Sequence, residues 1–366
     1  MTDRSKILCA MAILCVLGAA AGKAGAFHEQ GTANCSGCHT MHNSLDGIPE
    51  SPFSHPGLLR FESATDLCLS CHAVENGAVF GPDPLNPPPE KGAGNFTFLL
   101  ENNINDGNNG IQNPIEGHHA GHNVSTSTWG IPIDPANNVA PGGSYPADQL
   151  GCTSCHDAHG NQNFRMLRDT QTGSRDGFVF IYPAPIALGI NIQQGQESLT
   201  NHTAYQSGWA DWCANCHGYY HENIGQGHGF DHPTTEFMSG EEYMSYNEYS
   251  GPSDPSGGDY MVAYIPEVPF EDEDVTISSS IGASASSRVM CLSCHRAHAT
   301  SAPMNTRWDP NIEFLDEDGQ VSSSYPIPSP YPEPGQRALC VKCHYRGLES
   351  HGLNQPCMRC HRSGGP

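Results

Sequence analysis

The sequence predicts a fold that is mostly irregular, with short helices and a few short strands. Three observations carry that expectation. The 366 residues include 40 glycines and 29 prolines, too many for long regular elements. No stretch sustains a helical period of apolar residues. The pentapeptide Cys-x-x-Cys-His occurs seven times, and repeated covalent attachment can order a chain that has little secondary structure.

The seven copies are Cys35-Ser-Gly-Cys38-His39, Cys68-Leu-Ser-Cys71-His72, Cys152-Thr-Ser-Cys155-His156, Cys213-Ala-Asn-Cys216-His217, Cys291-Leu-Ser-Cys294-His295, Cys340-Val-Lys-Cys343-His344 and Cys357-Met-Arg-Cys360-His361. Only Cys9 and Cys15 stand outside them. The pentapeptide is the attachment signature of c-type haem. Both thiols add to the porphyrin vinyl groups, and the adjacent histidine becomes the proximal iron ligand. A zinc site would use two cysteine pairs without a histidine after each, and a disulfide framework would show irregular spacing. Seven matches of seven fit neither. The expected cofactor is seven haem c, each tethered by one cysteine pair and held by His39, His72, His156, His217, His295, His344 or His361. The expected fold is that of a multihaem c-type cytochrome.

Taken in order, residues 1–26 read as a signal peptide. Arg4 and Lys6 precede an apolar run, Ile7 to Leu17, that is too short to span a bilayer. Ala24-Gly25-Ala26 matches a small-x-small cleavage site, so residues 27–366 are expected as a single mature domain. Leu14 is too bulky for the position before a lipidated Cys15. Export suits the chemistry, because c-type haem is attached outside the bacterial cytoplasm. The expected location is extracellular or on the outer surface, with the periplasm as the alternative, and no later segment is apolar enough to span a membrane.

Without residues 1–26, which hold Arg4, Lys6, Lys23 and Asp3, 13 basic and 38 acidic side chains remain, a net of −25. Such a surface repels nucleic acid and anionic lipid. It suits cationic partners or metal-bearing surfaces, and it also serves simple solubility.

Gly81 to Ala147 is dense in Pro, Gly and Asn, with Pro87-Pro88-Pro89 and Asp106-Gly-Asn-Asn-Gly110 as turn signals. Similar material fills 250–258 and 322–335. Composition alone would suggest disorder, but each loop lies between attachment points. Thioether links and axial ligands close loops and reduce the entropy of the unfolded chain, much as disulfides do. Short helical turns are expected at the attachment sites, Ala147–His159 and Val289–His298. Brief strands are expected at Phe178–Tyr182 and Tyr260–Tyr264, where β-formers cluster. The motifs are unevenly spaced, which argues against a regular repeat array.

Of 20 histidines, seven are proximal and thirteen remain. Seven distal ligands complete bis-histidine coordination at every iron, so none needs an open position. Three motifs extend to Cys-x-x-Cys-His-x-x-His through His42, His159 and His298, and His221 follows His217 by four. A histidine so close to its own attachment point reaches a neighbouring iron more readily than the far face of its own haem. The stretch between His72 and His118 lacks histidine, which makes His55, His118 and His119 candidates for the second haem. His351 is the candidate for the seventh.

The stretches Cys35-Ser-Gly-Cys-His-Thr-Met-His-Asn-Ser-Leu45, Ala140-Pro-Gly-Gly-Ser-Tyr-Pro-Ala-Asp-Gln-Leu150 with Cys152-Thr-Ser-Cys-His-Asp-Ala-His-Gly160, Trp212-Cys-Ala-Asn-Cys-His217, Cys291-Leu-Ser-Cys-His-Arg-Ala-His-Ala299 and Gln336-Arg-Ala-Leu-Cys340 resemble the filament-forming outer-surface multihaem c-type cytochromes. The likeness runs in order from the mature start to about His344. It implies a fold organised around a continuous haem chain, and extracellular electron transfer rather than enzymatic turnover, with head-to-tail self-assembly into a conductive filament. The partners it implies are further copies of the chain, redox partner cytochromes and external acceptors such as metal oxides. By the same likeness, His42 ligates a haem of the adjacent subunit. His122, His159, His221, His232 and His298 are the implied internal distal ligands. The chain departs from that pattern by a seventh motif beyond the usual six. A monomeric periplasmic or surface shuttle is the competing reading. A reductase of nitrogen or sulfur oxyanions would need an open iron, often marked by lysine in place of the motif histidine, and all seven motifs keep histidine.

Overall fold

The computed structural model describes residues 35–40, 42, 44–45, 48–49, 58–73, 79–81, 92–100, 104–105, 114–172, 177–190, 201, 203–222, 234–238, 246, 268–275, 283–310, 312, 314–318 and 337–344. The expected signal peptide, His55, His232, His351, the seventh motif and the expected strand at 260–264 lie outside the described residues, as do the Cys343 and His344 side chains.

Regular elements are short, as the composition requires. Five α-helices carry motif residues: α1 (Ala64–His72), α2 (Cys152–Cys155), α3 (Trp209–Glu222), α4 (Cys291–Cys294) and α5 (Leu339–His344). The first motif opens on a 3₁₀ turn, Cys35–Gly37. Among the described residues, six strands of two to four residues form three antiparallel pairs, Ser44–Leu45 with Ile48–Pro49, Ile104–Asn105 with Pro114–Ile115, and Ile186–Leu188 with Ala204–Ser207.

The motifs alternate between two local structures. The second, fourth and sixth lie on the longer helices. In α1, Ser63 caps the start, its Oγ accepting from the Asp66 N–H at 3.0 Å while its hydroxyl donates to Asp66 Oδ2 at 2.6 Å. Gly208, at φ 78°, makes the turn into α3, and Glu271 Oε1 accepts from the Trp209 N–H at 3.1 Å.

The first, third and fifth motifs make a single turn and then return. The helical stretches expected at Ala147–His159 and Val289–His298 shrink to α2 and α4, because His156 and His295 leave the helix with extended backbone (φ −109° and −111°). The chain then bends back antiparallel, pairing His39 with Leu59, His156 with Leu167 and His295 with Thr306. Each return runs through left-handed residues, Leu58 in the first, Arg165 and Met166 in the second, Met304 and Asn305 in the third.

The Phe178–Tyr182 run is not a strand. Asn215 Oδ1 accepts from the Ile181 and Tyr182 N–H groups at 2.8 and 2.9 Å, so a side chain inside the fourth motif takes the place of a partner strand. The strand falls later, at Ile186–Leu188.

Among the described residues, apolar packing is divided among three small clusters, each against an attachment turn. Leu69 packs with Phe80, Phe96, Phe98, Leu99, Val124 and Ile131. Leu167, Trp209 and Met290 meet beside the third, fourth and fifth motifs. Tyr246, Trp308, Ile312, Leu315 and Ala338 gather beside the sixth. Such dispersed packing is expected where the apolar mass of the interior is to be supplied by something other than aliphatic side chains.

Candidate haem sites

The attachment turns neighbour one another in sequence order. Cys38 lies close enough to Cys68 and Cys71 to feel their charge. The Cys68 and Cys152 thiols hydrogen-bond, which sets α1 against α2. Cys155 and Cys216 interact electrostatically. The Cys213 and Cys291 thiols hydrogen-bond, which sets α3 against α4. Cys294 and Cys340 line one small cavity with Arg307 and Trp308. Six tethers thus follow one another as a row.

Four of the described histidines each present one ring nitrogen to a backbone carbonyl. Ring nitrogens differ in role, and the hydrogen bond made by one fixes which is left to bind metal. His156 Nδ1 contacts Arg165 O at 2.9 Å, His217 Nδ1 contacts Pro141 O at 2.7 Å, and His295 Nδ1 contacts Met304 O at 3.1 Å. His122 Nδ1 likewise meets Ala297 O at 2.8 Å. A carbonyl can only accept, so each ring carries its proton on Nδ1 and leaves Nε2 as the lone-pair donor.

Two imidazoles bound on opposite sides of one iron, with metal–nitrogen bonds of about 2 Å, have ring centroids roughly 6 Å apart. The His39 and His159 rings are stacked at 6.2 Å and 11°, and the His122 and His217 rings lie 6.0 Å apart at 54°. His298 faces His156 closely enough to feel its charge and stacks on Phe96 at 4.6 Å. Its backbone is wedged between two glycines. A Cβ at Gly94 would fall 2.0 Å from Ala299 O, and one at Gly121 would fall 2.2 Å from His298 O. Burial lowers the His122 pKa to about 4 and the His298 pKa to about 3, so both rings are neutral at neutral pH, as metal ligation requires. Paired thiols, Nδ1-protonated imidazoles and ring spacings all fit haem.

Other sequence candidates have different surroundings. His221 directs Nε2 to Asp211 Oδ1 at 2.7 Å. His118 and His119 pack on each other at 4.0 Å, with His118 Nε2 3.3 Å from Glu116. His42 is exposed. Sequence reasoning missed the accepting carbonyls, because any residue supplies one. It also missed Arg60, Arg168 and Arg307, which recur after the first, third and fifth motifs.

A row of cysteine pairs with paired imidazoles defines a multihaem c-type cytochrome. Residues 145–174 match the doubled CXXCH motif family model. The chain is 30% identical over 415 residues to the C-type cytochrome OmcS of Geobacter sulfurreducens, spanning 87% of this chain and 94% of that protein, and it belongs to the OmcS family. Two solved structures are similar: OmcS nanowires from Geobacter sulfurreducens determined by cryo-EM (TM-score 0.66, 26% identity) and the outer membrane cytochrome S filament from the same organism (TM-score 0.67, 27% identity). Each covers 87% of this chain and 99% of the solved chain. Among the described residues no helix is long and apolar enough to cross a membrane.

Proposed function

We propose that this protein is an extracellular electron-transfer cytochrome carrying seven haem c, and that it polymerises end to end through a histidine shared between subunits. Haem c supplies one-electron ferric/ferrous chemistry when bound. The chain's part is to fix the order of the tethers, to hold each iron between two neutral imidazoles, and to exclude competing ligands.

One observation carries the polymer reading. His159, from the third motif, pairs with His39 of the first. His298, from the fifth motif, faces His156 of the third. In each case the histidine three residues beyond an odd-numbered motif caps the iron of the odd-numbered motif before it. His42 occupies the same position in the first motif, which has no predecessor in the chain. His295 belongs to the fifth, and no third-position histidine follows the sixth motif or the seventh. Across a subunit boundary the pattern leaves two irons open to His42, those of His295 and His361; within the six motifs that the family pattern shares, it joins His42 of one copy to the iron held by His295 of the next. That contact is heterologous and open, the kind that makes filaments. His122 completes the iron of His217 by the same spacing argument.

The reading includes export after a signal peptide ending near Ala26, a single domain over 27–366, and delivery of electrons to partner cytochromes and external acceptors such as metal oxides. The seventh haem, at Cys357–Cys360, extends the row beyond the six haems of the family pattern. Electron cryomicroscopy of native haem-positive material sheared from cells is the test. Ordered filaments with seven haems per repeat and density joining His42 to the next subunit are expected. Discrete monomers alone would leave a surface shuttle.

A further inference from the structure

The three return segments end on the same side chain. Arg60, Arg168 and Arg307 each donate a backbone N–H to the carbonyl of the second motif cysteine, Cys38, Cys155 and Cys294, at 3.0, 2.9 and 2.8 Å. Each guanidinium turns back to the carbonyl of the first residue between the cysteines. Arg60 Nη1 meets Ser36 O at 3.4 Å, Arg168 Nε meets Thr153 O at 2.6 Å, and Arg307 Nε meets Leu292 O at 2.7 Å. The residue two before each arginine is left-handed, Leu58, Met166 or Asn305, and its carbonyl accepts the N–H of the residue after the motif histidine, at 2.7, 2.8 and 3.0 Å. Arg168 and Arg307 are buried at 8% and 3% exposure, where a cation is retained only for a reason.

Holding a carbonyl does not require a charge, since a neutral amide could do it. What arginine adds is a permanent positive charge against the attachment loop. Each guanidinium lies within hydrogen-bonding reach of the loop between its two tether cysteines, one or two residues from the tethers themselves.

Two of the even-numbered motifs carry the opposite sign. Asp66 and Asp211 stand two residues before Cys68 and Cys213. Asp66 is 1% exposed and accepts from Ser63 Oγ, Thr126 Oγ1 and the Thr128 N–H. Asp211 contacts His221.

We infer that Arg60, Arg168 and Arg307 are positioning residues that hold the haems of the first, third and fifth motifs at higher reduction potential than those of the second and fourth, so that potentials alternate along the row. The inference rests on the haem-row reading but not on polymerisation. Oxidation adds one positive charge to the iron–porphyrin centre, so a buried cation favours the reduced form and a buried carboxylate the oxidised form.

Spectroelectrochemical titration of the holoprotein tests this, with dithionite supplying one electron per iron through mediators. Arg168→Gln keeps an N–H donor for Thr153 O and should move one haem of the set to lower potential. Arg168→Lys keeps the charge and should stay near the parent curve. Asp66→Asn should move a different haem to higher potential. Arg307→Gln repeats the first measurement at the fifth motif should Arg168→Gln fail to accumulate. Haem content by pyridine haemochrome and filament formation by microscopy are read alongside. An unshifted titration in both glutamine variants with full haem content overturns the inference. Absence of filaments from the parent protein as well as the variants, with the predicted shifts intact, overturns only the polymer reading.

Discussion

His122 shows how much of the site depends on single residues. Its ring is held by a carbonyl 175 positions away in sequence, at Ala297, and it meets a motif histidine, His217, that lies beyond one further attachment turn. Burial lowers its pKa from 6.5 to about 4. The unfolded chain therefore binds the extra proton between those values. Stability from keeping His122 neutral is complete above pH 6.5, falls as pH drops below it, and stops changing beneath about 4. Iron ligation moves the lower limit further down. Thermal melts at successive pH values should show the midpoint falling through that window. Substituting His122→Ala should leave haem content unchanged, because Cys213 and Cys216 are intact, while one iron of the set turns high-spin by electron paramagnetic resonance. Phe96→Ala removes the ring under His298 and a buried aromatic side chain, at a cost of about 3–5 kcal/mol. Its thermal midpoint should fall, and the iron of His156 should show partial high-spin character. The proximal residues are legible in the sequence because the motif places them side by side. The distal pairings are not, since a ring that meets a motif histidine from beyond another attachment turn leaves no local spacing behind.

At the scale of elements, the motif names the attachment turn but not the form that turn takes. Identical Cys-Leu-Ser-Cys-His strings sit at Cys68 and Cys291, yet the first lies near the end of a nine-residue helix and the second is a four-residue turn. What separates them lies outside the string. Ser63 and Asp66 cap the first helix, whereas Met304 and Asn305 fold the second back on itself. The strand expected at Phe178–Tyr182 fails for a related reason. Its alternation is real, with Phe180 at 5% exposure and Val179 and Ile181 at 72% and 62%, but Asn215 takes its hydrogen bonds. Docking of the 140–143 turn onto α3 is the most constrained of these contacts. Pro141 O holds His217 Nδ1, Gly142 O accepts from the Tyr219 N–H at 2.8 Å, and a Cβ at Gly143 would fall 1.6 Å from Cys216 O. Gly143→Ala should therefore displace the turn, free the His217 ring and lower the thermal midpoint. Gly218→Ala, in the same helix with nothing within 4 Å of the added carbon, should be neutral or stabilising by up to about 1 kcal/mol. Comparing the two by calorimetry separates contact with the turn from general helix propensity.

For the whole molecule, the interface and the electron path become the same object if His42 caps the iron of His295 in the next copy. Polymerisation then has to overcome mutual repulsion between subunits of strong negative charge, −23 for the full chain, and a coordinate bond at each junction supplies a short-range attraction that charge cannot supply. The consequence is a single substitution with two separable effects on two different copies. His42→Ala leaves all seven tethers and all proximal histidines in place, so haem content per chain should match the parent. Filaments should disappear from micrographs and the sedimenting species should be a monomer. In that monomer the iron of His295 lacks its sixth ligand and should give a high-spin signal, although the substituted residue lies in the first motif and the affected haem belongs to the fifth. Added imidazole should fill the open position and restore the low-spin spectrum without restoring the filament, because a free ligand completes the iron but joins nothing. If His42→Ala monomers were fully low-spin before imidazole is added, the ligand of His295 would have to come from within the chain. The third-position histidine pattern would then stop at the end of each molecule.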